Sequence, residues 1–337
     1  MPTTIGIIGL GQIGGSIGLA LKQRNAVDRV LGTTRSASTG RAALTLGAVD
    51  AVVGLAELAR DSQIIFLALP HDQVRTTLEL MQPRLKDNSI LLDTAPIRSQ
   101  VNKWVGELLP AGAHHIGLVP APNPSMLVLR EWGVKAAHAD FFNKSTVMLV
   151  ASPRTTGAVE ELAITVVRLL GAKPLLTDPM EADGLMTTAH LLPQLTSSAL
   201  IEASVGVAGW QEARKLAGRP FAQVTGGMAY FDDPGSVVEA TLANSKRVVH
   251  GIDVLIAALR GLRDEVDAEN AGQLTERLRH SYMARERWLN ERNDAEWLDP
   301  DSETRELPGL GEHLTHLFFG GKIAEATRAV PSKRPAR

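Results

Sequence analysis

The sequence predicts an α/β fold, in which a doubly wound parallel-sheet domain is followed by an all-α helical domain. In the first half, short apolar runs alternate with segments of helical period, a pattern typical of parallel strands buried on both faces. A glycine-rich turn stands between the first strand and the first helix. After Pro179, almost only segments of helical period follow. A length of 337 residues is also that of two ordinary domains.

The individual elements follow from these patterns. Five apolar runs are predicted as buried strands, at residues 5–8, 29–32, 64–69, 89–93 and 146–150. Helices are predicted among them at residues 13–23, 73–82 and 156–170, and in the second half at residues 186–205, 236–264 and 273–292. We therefore predict three regions, which are a sheet domain at 1–177, a helical domain at 178–295 and a C-terminal extension and tail at 296–337.

Composition excludes several classes of function. A net charge of −2 and a pI near 6.5 give no footprint for nucleic acid or for an anionic membrane. The chain has no cysteine, and no run approaches the roughly 20 apolar residues of a membrane span. No basic leader precedes the first strand, so we expect a cytoplasmic protein with a small-molecule substrate. No set of histidines and carboxylates has ligand spacing, so we expect no metal.

The glycine-rich turn predicts a dinucleotide site. Residues 9–14 read Gly-Leu-Gly-Gln-Ile-Gly, a G-x-G-x-x-G that follows a predicted strand and opens a predicted helix. Gly9 permits the tight turn, Gly11 lets the backbone approach a pyrophosphate, and Gly14 allows close helix–strand packing. Gln12 and Ile13 lie at the helix N-terminus, whose free N–H groups and dipole favour phosphate. This combination predicts a Rossmann domain.

The end of the second predicted strand favours NADP, with NAD as the alternative. An acidic residue there would bind the ribose 2′-hydroxyl of NAD, but none is present. The chain instead offers hydroxyls and an arginine, which suit a 2′-phosphate. These residues are Thr33, Thr34, Arg35 and Ser36. Three further residues at the ends of the next strands are expected to face the cofactor, namely Leu69, Pro70 and Asp93.

Several segments together resemble the prephenate/arogenate dehydrogenase family, over about residues 4 to 290. They are Gly-Leu-Gly-Gln-Ile-Gly-Gly-Ser at 9–16, Asp-Phe-Phe at 140–142, Ala-His-Leu-Leu-Pro-Gln at 189–194 and the stretch 221–234. The resemblance implies a Rossmann domain joined to a helical dimerisation domain, and hence a homodimer. It also implies an NAD(P)-dependent dehydrogenase of tyrosine biosynthesis. Hydride leaves C4 of the substrate, a histidine accepts the 4-hydroxyl proton, and loss of carbon dioxide aromatises the ring.

The substrate side departs from the family pattern at three positions. Val119, before Pro120, stands where the resemblance places the catalytic histidine, and valine cannot accept a proton. Pro96 replaces a hydroxyl residue that would touch substrate, and Gly226 stands in place of a carboxylate-binding arginine.

Two polar residues are the candidates for the catalytic role. His190 lies on an otherwise apolar helix and suits proton transfer or orientation, with Asp183 placed to hydrogen-bond it from nearly the same helix face. Asn123 would hydrogen-bond substrate or, equally, serve an Asn-Pro turn.

Three functions remain open at this point. The first is a prephenate/arogenate-type dehydrogenase with an altered substrate site. The second is an NADP oxidoreductase of the same fold acting on a 4-amino analogue of prephenate, an imine or a ketone, since such a substrate needs no strong base. The third is a catalytically silent NADP-binding protein.

Overall fold

A computed structural model describes residues 3–127, 131–230 and 234–294. Its centre is one eight-stranded sheet, whose order β3-β2-β1-β4-β5-β6-β7-β8 has the double winding that the sequence predicts. The strands are β1 (Thr4–Ile8), β2 (Arg29–Thr33), β3 (Ala51–Val52), β4 (Ile64–Leu67), β5 (Ile90–Asp93), β6 (His114–Pro120), β7 (Thr146–Ala151) and β8 (Lys173–Thr177).

Helices cover both faces of this sheet. They are α1 (Gln12–Gln23), α2 (Ala37–Leu46), α3 (Leu55–Asp61), α4 (His71–Met81), α5 (Arg98–Leu108) and α6 (Gly157–Leu170). Neighbouring strand residues point to opposite faces, so Ile7 joins the core under α1 and α6 while Ile8 joins the core under α3, α4 and α5. Burial on both faces explains why the strands read as continuous apolar runs.

The sheet is parallel, as predicted, except at one pair. β6 and β7 run antiparallel, with Val119 opposite Met148, while the other pairs are parallel. A parallel neighbour needs a crossover, usually a helix. Between β6 and β7 the described chain has only two short 3₁₀ turns, Pro124–Met126 and Gly133–Ala136. The chain therefore re-enters the sheet in the opposite direction.

The region after the sheet is helical, as predicted. Its helices are α7 (Pro179–Met186), α8 (Leu192–Val205), α9 (Trp210–Leu216), α10 (Arg219–Val224), α11 (Pro234–Ala243), α12 (Ser245–Asp267) and α13 (Ala271–Asp294). The single helix predicted at 236–264 is two helices, because the chain breaks at Asn244. A π-helical turn, Thr187–Leu191, joins α7 to α8.

The last strand ends at Thr177 and the helices begin at Pro179, next to the predicted boundary. The division into domains there stays a prediction, and the extension predicted at 296–337 lies outside the described residues. In the described part of the chain, no helix is long and apolar enough to cross a membrane.

Candidate functional site

The crevice of this fold opens where the strand order reverses, between β1 and β4. Both strands end there, and the backbone N–H of Ala68 donates to the carbonyl of Ile8 at 2.8 Å. In open α/β sheets, ligands bind outside the carboxyl ends of the strands at such a switch point. The turn that carries the glycine motif starts at this point.

The three glycines occupy positions that fit their predicted roles. Gly9 has φ +94°, and a Cβ there would collide with the carbonyl of Ala68. A Cβ on Gly14 would collide with the carbonyl of Gly9, so the helix can approach the turn this closely only with glycine. A Cβ on Gly11 would meet no described heavy atom within 4 Å, so this side of the turn is open. These positions would cradle a pyrophosphate. The first-turn backbone amides of α1 could donate to it, because Gly11 has no side chain that caps them.

Gln12 and Ile13 contribute their backbones to this helix start rather than their side chains. The Gln12 side-chain amide donates to the carbonyl of Ala136 at 3.3 Å, and Ile13 packs on the apolar core. The glycine-rich turn is thereby tied to the 3₁₀ turn that follows β6.

The end of β2 forms a small hydroxyl-rich cradle. The Ser36 hydroxyl caps α2 by accepting the Thr39 N–H at 3.2 Å, and it lies 2.8 Å from the hydroxyl of Ser38. Arg35 is exposed and has no hydrogen-bond or ion-pair partner among the described residues. No acid stands in the first turn of α2. Thr33 and Thr34 are half-buried beside this cradle, and Ser38 is a polar member that the sequence prediction missed.

Leu69 and Pro70 lie half-buried at the end of β4, where Pro70 precedes α4. The next residue, His71, is fully buried and its ring lies 5.2 Å from that of Trp104. Its backbone N–H donates to the Ser236 hydroxyl at 2.9 Å, which links α4 to α11. Burial lowers the pKa of His71 to about 4, so the ring is neutral at pH 7.

Asp93, which the sequence analysis expects beside the cofactor, is engaged by partners within the protein. It has no exposed surface, and its two oxygens accept the terminal N–H groups of Arg98 at 2.5 and 2.6 Å. The His115 Nε2 lies 2.5 Å from the same carboxylate. Burial acts to raise the pKa of Asp93, but the Arg98 charge and the bonds from His115 and Arg98 hold it well below its ordinary value. Asp93 is therefore an ionised structural centre at the end of β5.

Val119 is part of an apolar cluster. It is 6% exposed and packs with residues of β7 and α7, namely Met148, Val150, Ala182 and Met186. Nothing at this position can accept a proton. Pro120 ends the strand half-buried.

Asn123 serves the turn after β6, one of the two roles left open by the sequence. Its side-chain oxygen accepts the N–H and the hydroxyl of Ser125, both at 3.0 Å. Its side-chain nitrogen donates to the carbonyl of Asp140 at 3.0 Å. With these bonds made, the contacts favour the turn over a role toward substrate.

His190 lies in the π-turn between α7 and α8, and its Nε2 is 3.1 Å from the side-chain nitrogen of Gln194. The segment is packed on the sheet domain by two apolar residues, since Met186 contacts the Val119 cluster and Leu191 contacts Ile97. His190 as a whole residue is exposed, while desolvation by the protein around its ring lowers its pKa below the ordinary value.

Asp183 does not hydrogen-bond His190, contrary to the sequence expectation. Its carboxylate accepts the backbone N–H of Arg98 at 2.6 Å and that of Ser99 at 3.3 Å. Asp183 thus caps the N-terminus of α5, whose own N-cap residue Ile97 offers no side-chain acceptor.

Pro96 and Gly226 are the other two positions of departure. Pro96 is half-buried just before α5. Gly226 lies in the 3₁₀ segment Thr225–Tyr230, and a Cβ on it would meet no described heavy atom within 4 Å. The space beside Gly226 is therefore open. Among the described residues, no group of three or more histidines or carboxylates could hold a metal ion.

The comparison with known proteins finds prephenate dehydrogenases. A family model described as the prephenate dehydrogenase nucleotide-binding domain matches residues 17–176. Prephenate dehydrogenase of Bacillus subtilis (strain 168) is 23% identical over 277 residues, which cover 81% of this chain and 73% of that relative. The chain is therefore similar to the prephenate/arogenate dehydrogenase family.

Solved structures share the fold of this chain. Prephenate dehydrogenase from A. aeolicus, in complex with hydroxyphenyl propionate and NAD+, gives a TM-score of 0.73 at 18% identity, covering 85% of this chain and 98% of that one. Synechocystis arogenate dehydrogenase gives 0.64 at 23% identity, covering 85% and 100%. The match to a nucleotide-binding domain agrees with the dinucleotide site that the glycine-rich turn predicts.

The sequence prediction gave no site role to the buried polar residues that support the site. They are Arg98, His115, Thr187 and Asn244. One signal was present, since a buried strand that ends in Asp93 needs a charged or hydrogen-bonding partner.

Proposed function

We propose that this protein is an NADP-dependent dehydrogenase that oxidises and decarboxylates a cyclohexadienyl substrate of the prephenate/arogenate class, in aromatic amino-acid biosynthesis. One observation carries the proposal. The segment with His190 packs through Met186 and Leu191 against Val119 and Ile97, at the edge of the sheet where the glycine turn also lies. A substrate between the two would meet both the histidine and the dinucleotide crevice.

The NADP preference rests on the cradle after β2. Arg35 is exposed without a partner among the described residues, and Ser36 and Ser38 present hydroxyls at the start of α2. An arginine with hydroxyl donors suits the dianionic 2′-phosphate, and the absence of an acid removes the usual ligand for the 2′-hydroxyl of NAD.

In the proposed chemistry, a bound nicotinamide supplies the hydride acceptor. His190 is the residue to receive the proton of the substrate hydroxyl, since an imidazole exchanges its proton near neutral pH. The apolar cluster around Val119 excludes water from one wall of the site. The open space beside Gly226 leaves room for substrate where the resemblance expects an arginine.

A second candidate function is favoured by Val119 itself. Because this residue is buried among Met148, Val150 and Ala182, no base can stand at the position that the resemblance gives to the catalytic histidine. A 4-amino analogue of prephenate, an imine or a ketone would react without a strong base there. The same dinucleotide site would serve this substrate.

We also propose that the enzyme is a homodimer through its helical region. α12 has 23 residues and α13 has 24, yet each has one buried residue, Val248 and Arg292. Large apolar side chains on these helices are exposed, namely Val249, Val254, Ile256, Leu259, Val266, Leu278, Tyr282, Met283 and Trp288. Long helices gain most of their stability from packing an apolar face, and a second copy would supply the missing partner.

Substitution of Leu259 by Glu tests the dimer. We expect L259E to sediment as a monomer where the wild type sediments as a dimer. Leu80→Glu is the control, since Leu80 is as exposed but lies on α4. A wild-type monomer at micromolar concentration would overturn this part of the proposal.

Activity is tested by following reduced nicotinamide while prephenate, arogenate and the 4-amino analogue are each supplied with NADP or NAD. Oxidation of prephenate or arogenate supports the first function, and oxidation of the amino analogue alone supports the second. Tight NADP binding without any turnover would contradict both.

A further inference from the structure

The helix that carries His190 is widened at one place. In the turn Thr187–Leu191 the Leu192 N–H bonds to the carbonyl of Thr187, five residues earlier instead of four. Pro193 follows directly, and its ring would clash with a carbonyl four residues earlier in a regular helix. The proline accounts for the location of this π-turn, and such turns occur often at functional sites.

The first residue of the π-turn is held by a compact set of hydrogen bonds. The Thr187 hydroxyl donates to the carbonyl of Asp183 at 2.8 Å. The Asn244 side-chain nitrogen lies 2.9 Å from the same carbonyl and 2.6 Å from the Thr187 hydroxyl, and it donates to both oxygens. All three residues are buried, at 5% exposure or less. Asn244 reaches this place because the chain breaks there between α11 and α12.

This hydrogen-bond cluster, formed by Asp183, Thr187 and Asn244, is bonded to the sheet domain. The Asp183 carboxylate accepts the backbone N–H groups of Arg98 and Ser99 at the start of α5. The Arg98 side chain in turn holds Asp93 at the end of β5. A continuous path of buried hydrogen bonds therefore joins the sheet to the turn that presents His190.

We propose that Asn244 and Thr187 are positioning residues for His190, because they hold the π-turn in the register that directs its imidazole. The inference rests on the proposed role of His190 toward substrate. Each residue of an α-helix turns by about 100°, so losing the extra residue of the turn would swing His190 away from its present direction. Misplacement of a reacting group by about 1 Å costs roughly 100-fold in rate.

Thr187→Val removes the hydroxyl with little change of shape. Thr196→Val is the matched control. The Thr196 hydroxyl donates to the Leu192 carbonyl at 2.7 Å, which is the same kind of bond, but it lies outside the hydrogen-bond cluster. We expect kcat to fall at least about tenfold in T187V and N244A, with KM for NADP unchanged. T196V should stay within about twofold of the wild type. Thr187→Ser keeps the hydroxyl and should restore kcat.

A second readout does not depend on activity. The His190 imidazole can be assigned by NMR against H190N and titrated in each variant. Desolvation lowers its pKa from 6.5, so release of the ring should raise the pKa toward that value in T187V and N244A, and not in T196V.

These two readouts separate the inference from the proposed function. If the His190 titration moves as expected but no substrate turns over, the positioning role stands and the proposed function fails. If T187V and N244A fold and leave both kcat and the His190 titration as in T196V, the positioning role is wrong. If T187V does not fold, N244A is the variant that loses the hydrogen bonds, and it is compared with T187S, which keeps the hydroxyl.

Discussion

The Asp93 carboxylate accepts both terminal N–H groups of Arg98, at 2.5 and 2.6 Å, and neither side chain has exposed surface. A buried charge without its partner is strongly unfavourable, since desolvation is no longer offset. We expect Asp93→Asn and Arg98→Met each to lower the free energy of unfolding by about 3–5 kcal/mol. Chemical denaturation measures this loss.

The matched control for that pair is Arg279→Ala. Arg279 pairs with Glu276 at the surface, three residues apart on α13, and exposed pairs contribute little. We expect no measurable change in this variant. A loss of similar size in R279A and R98M would show that burial is not the cause.

Stability below neutral pH should depend on His71. Its folded-state pKa is about 4 against 6.5 for an ordinary histidine, so between these values the unfolded chain binds the extra proton. The contribution of the neutral ring is therefore present above about pH 6.5 and is lost as the pH falls toward 4, by about 3 kcal/mol in all.

Urea denaturation at a series of pH values between 4 and 8 measures this loss. In His71→Gln, the slope of unfolding free energy against pH should be smaller between 4 and 6.5 than in the wild type. His280→Gln, which alters an exposed histidine on α13, should keep the wild-type slope. Equal slopes in all three proteins would contradict the assignment to His71.

Gly11 and Gly14 should respond differently to alanine. The space around Gly11 is open, so G11A should keep its thermal midpoint while the affinity for NADPH falls at least about tenfold, because the methyl group occupies the place of the pyrophosphate. In Gly14→Ala the methyl group meets the Gly9 carbonyl, so the thermal midpoint should fall as well. NADPH fluorescence titration and thermal unfolding test both variants. Full NADPH affinity in G11A would place the cofactor elsewhere.

Arg35 should discriminate between the two dinucleotides. Loss of a charge-assisted hydrogen bond to the 2′-phosphate corresponds to about 1.5–3 kcal/mol, so Arg35→Ala should weaken NADP binding by roughly 10- to 100-fold. NAD binding should not change. Arg84→Ala, an exposed arginine beyond α4, is the control. Isothermal titration calorimetry measures the affinity for both nucleotides. An equal loss of affinity for NAD and NADP would contradict a 2′-phosphate contact at Arg35.

The sequence predicted the sheet domain well because each buried strand leaves an apolar run and each parallel connection a helix. The antiparallel entry of β7 left no such signal, since it depends on the missing crossover between Pro120 and Thr146. The glycine turn was predictable residue by residue, because Gly9 and Gly14 are required by backbone conformation and close approach.

The polar supports of the site were harder to predict. Asp93 was assigned to the cofactor from its place at a strand end, yet its partners Arg98 and His115 come from different elements. Asp183 was paired with His190 on the assumption of a regular helix, whereas Asp183 faces α5 and His190 lies within a π-turn. Contacts between distant elements and a local change of helix period cannot be predicted from the hydrophobic periodicity of the sequence.

The most direct test of the account is the oxidation of prephenate and arogenate with NADP, measured for the wild type and for His190→Asn. We expect NADP-dependent turnover of at least one substrate, a rate that rises with pH as the imidazole loses its proton, and a loss of at least about 100-fold in H190N. Full activity in H190N would contradict the proton-accepting role of His190. Tight NADP binding without turnover of either substrate would contradict the central claim that this chain is a dehydrogenase acting on them.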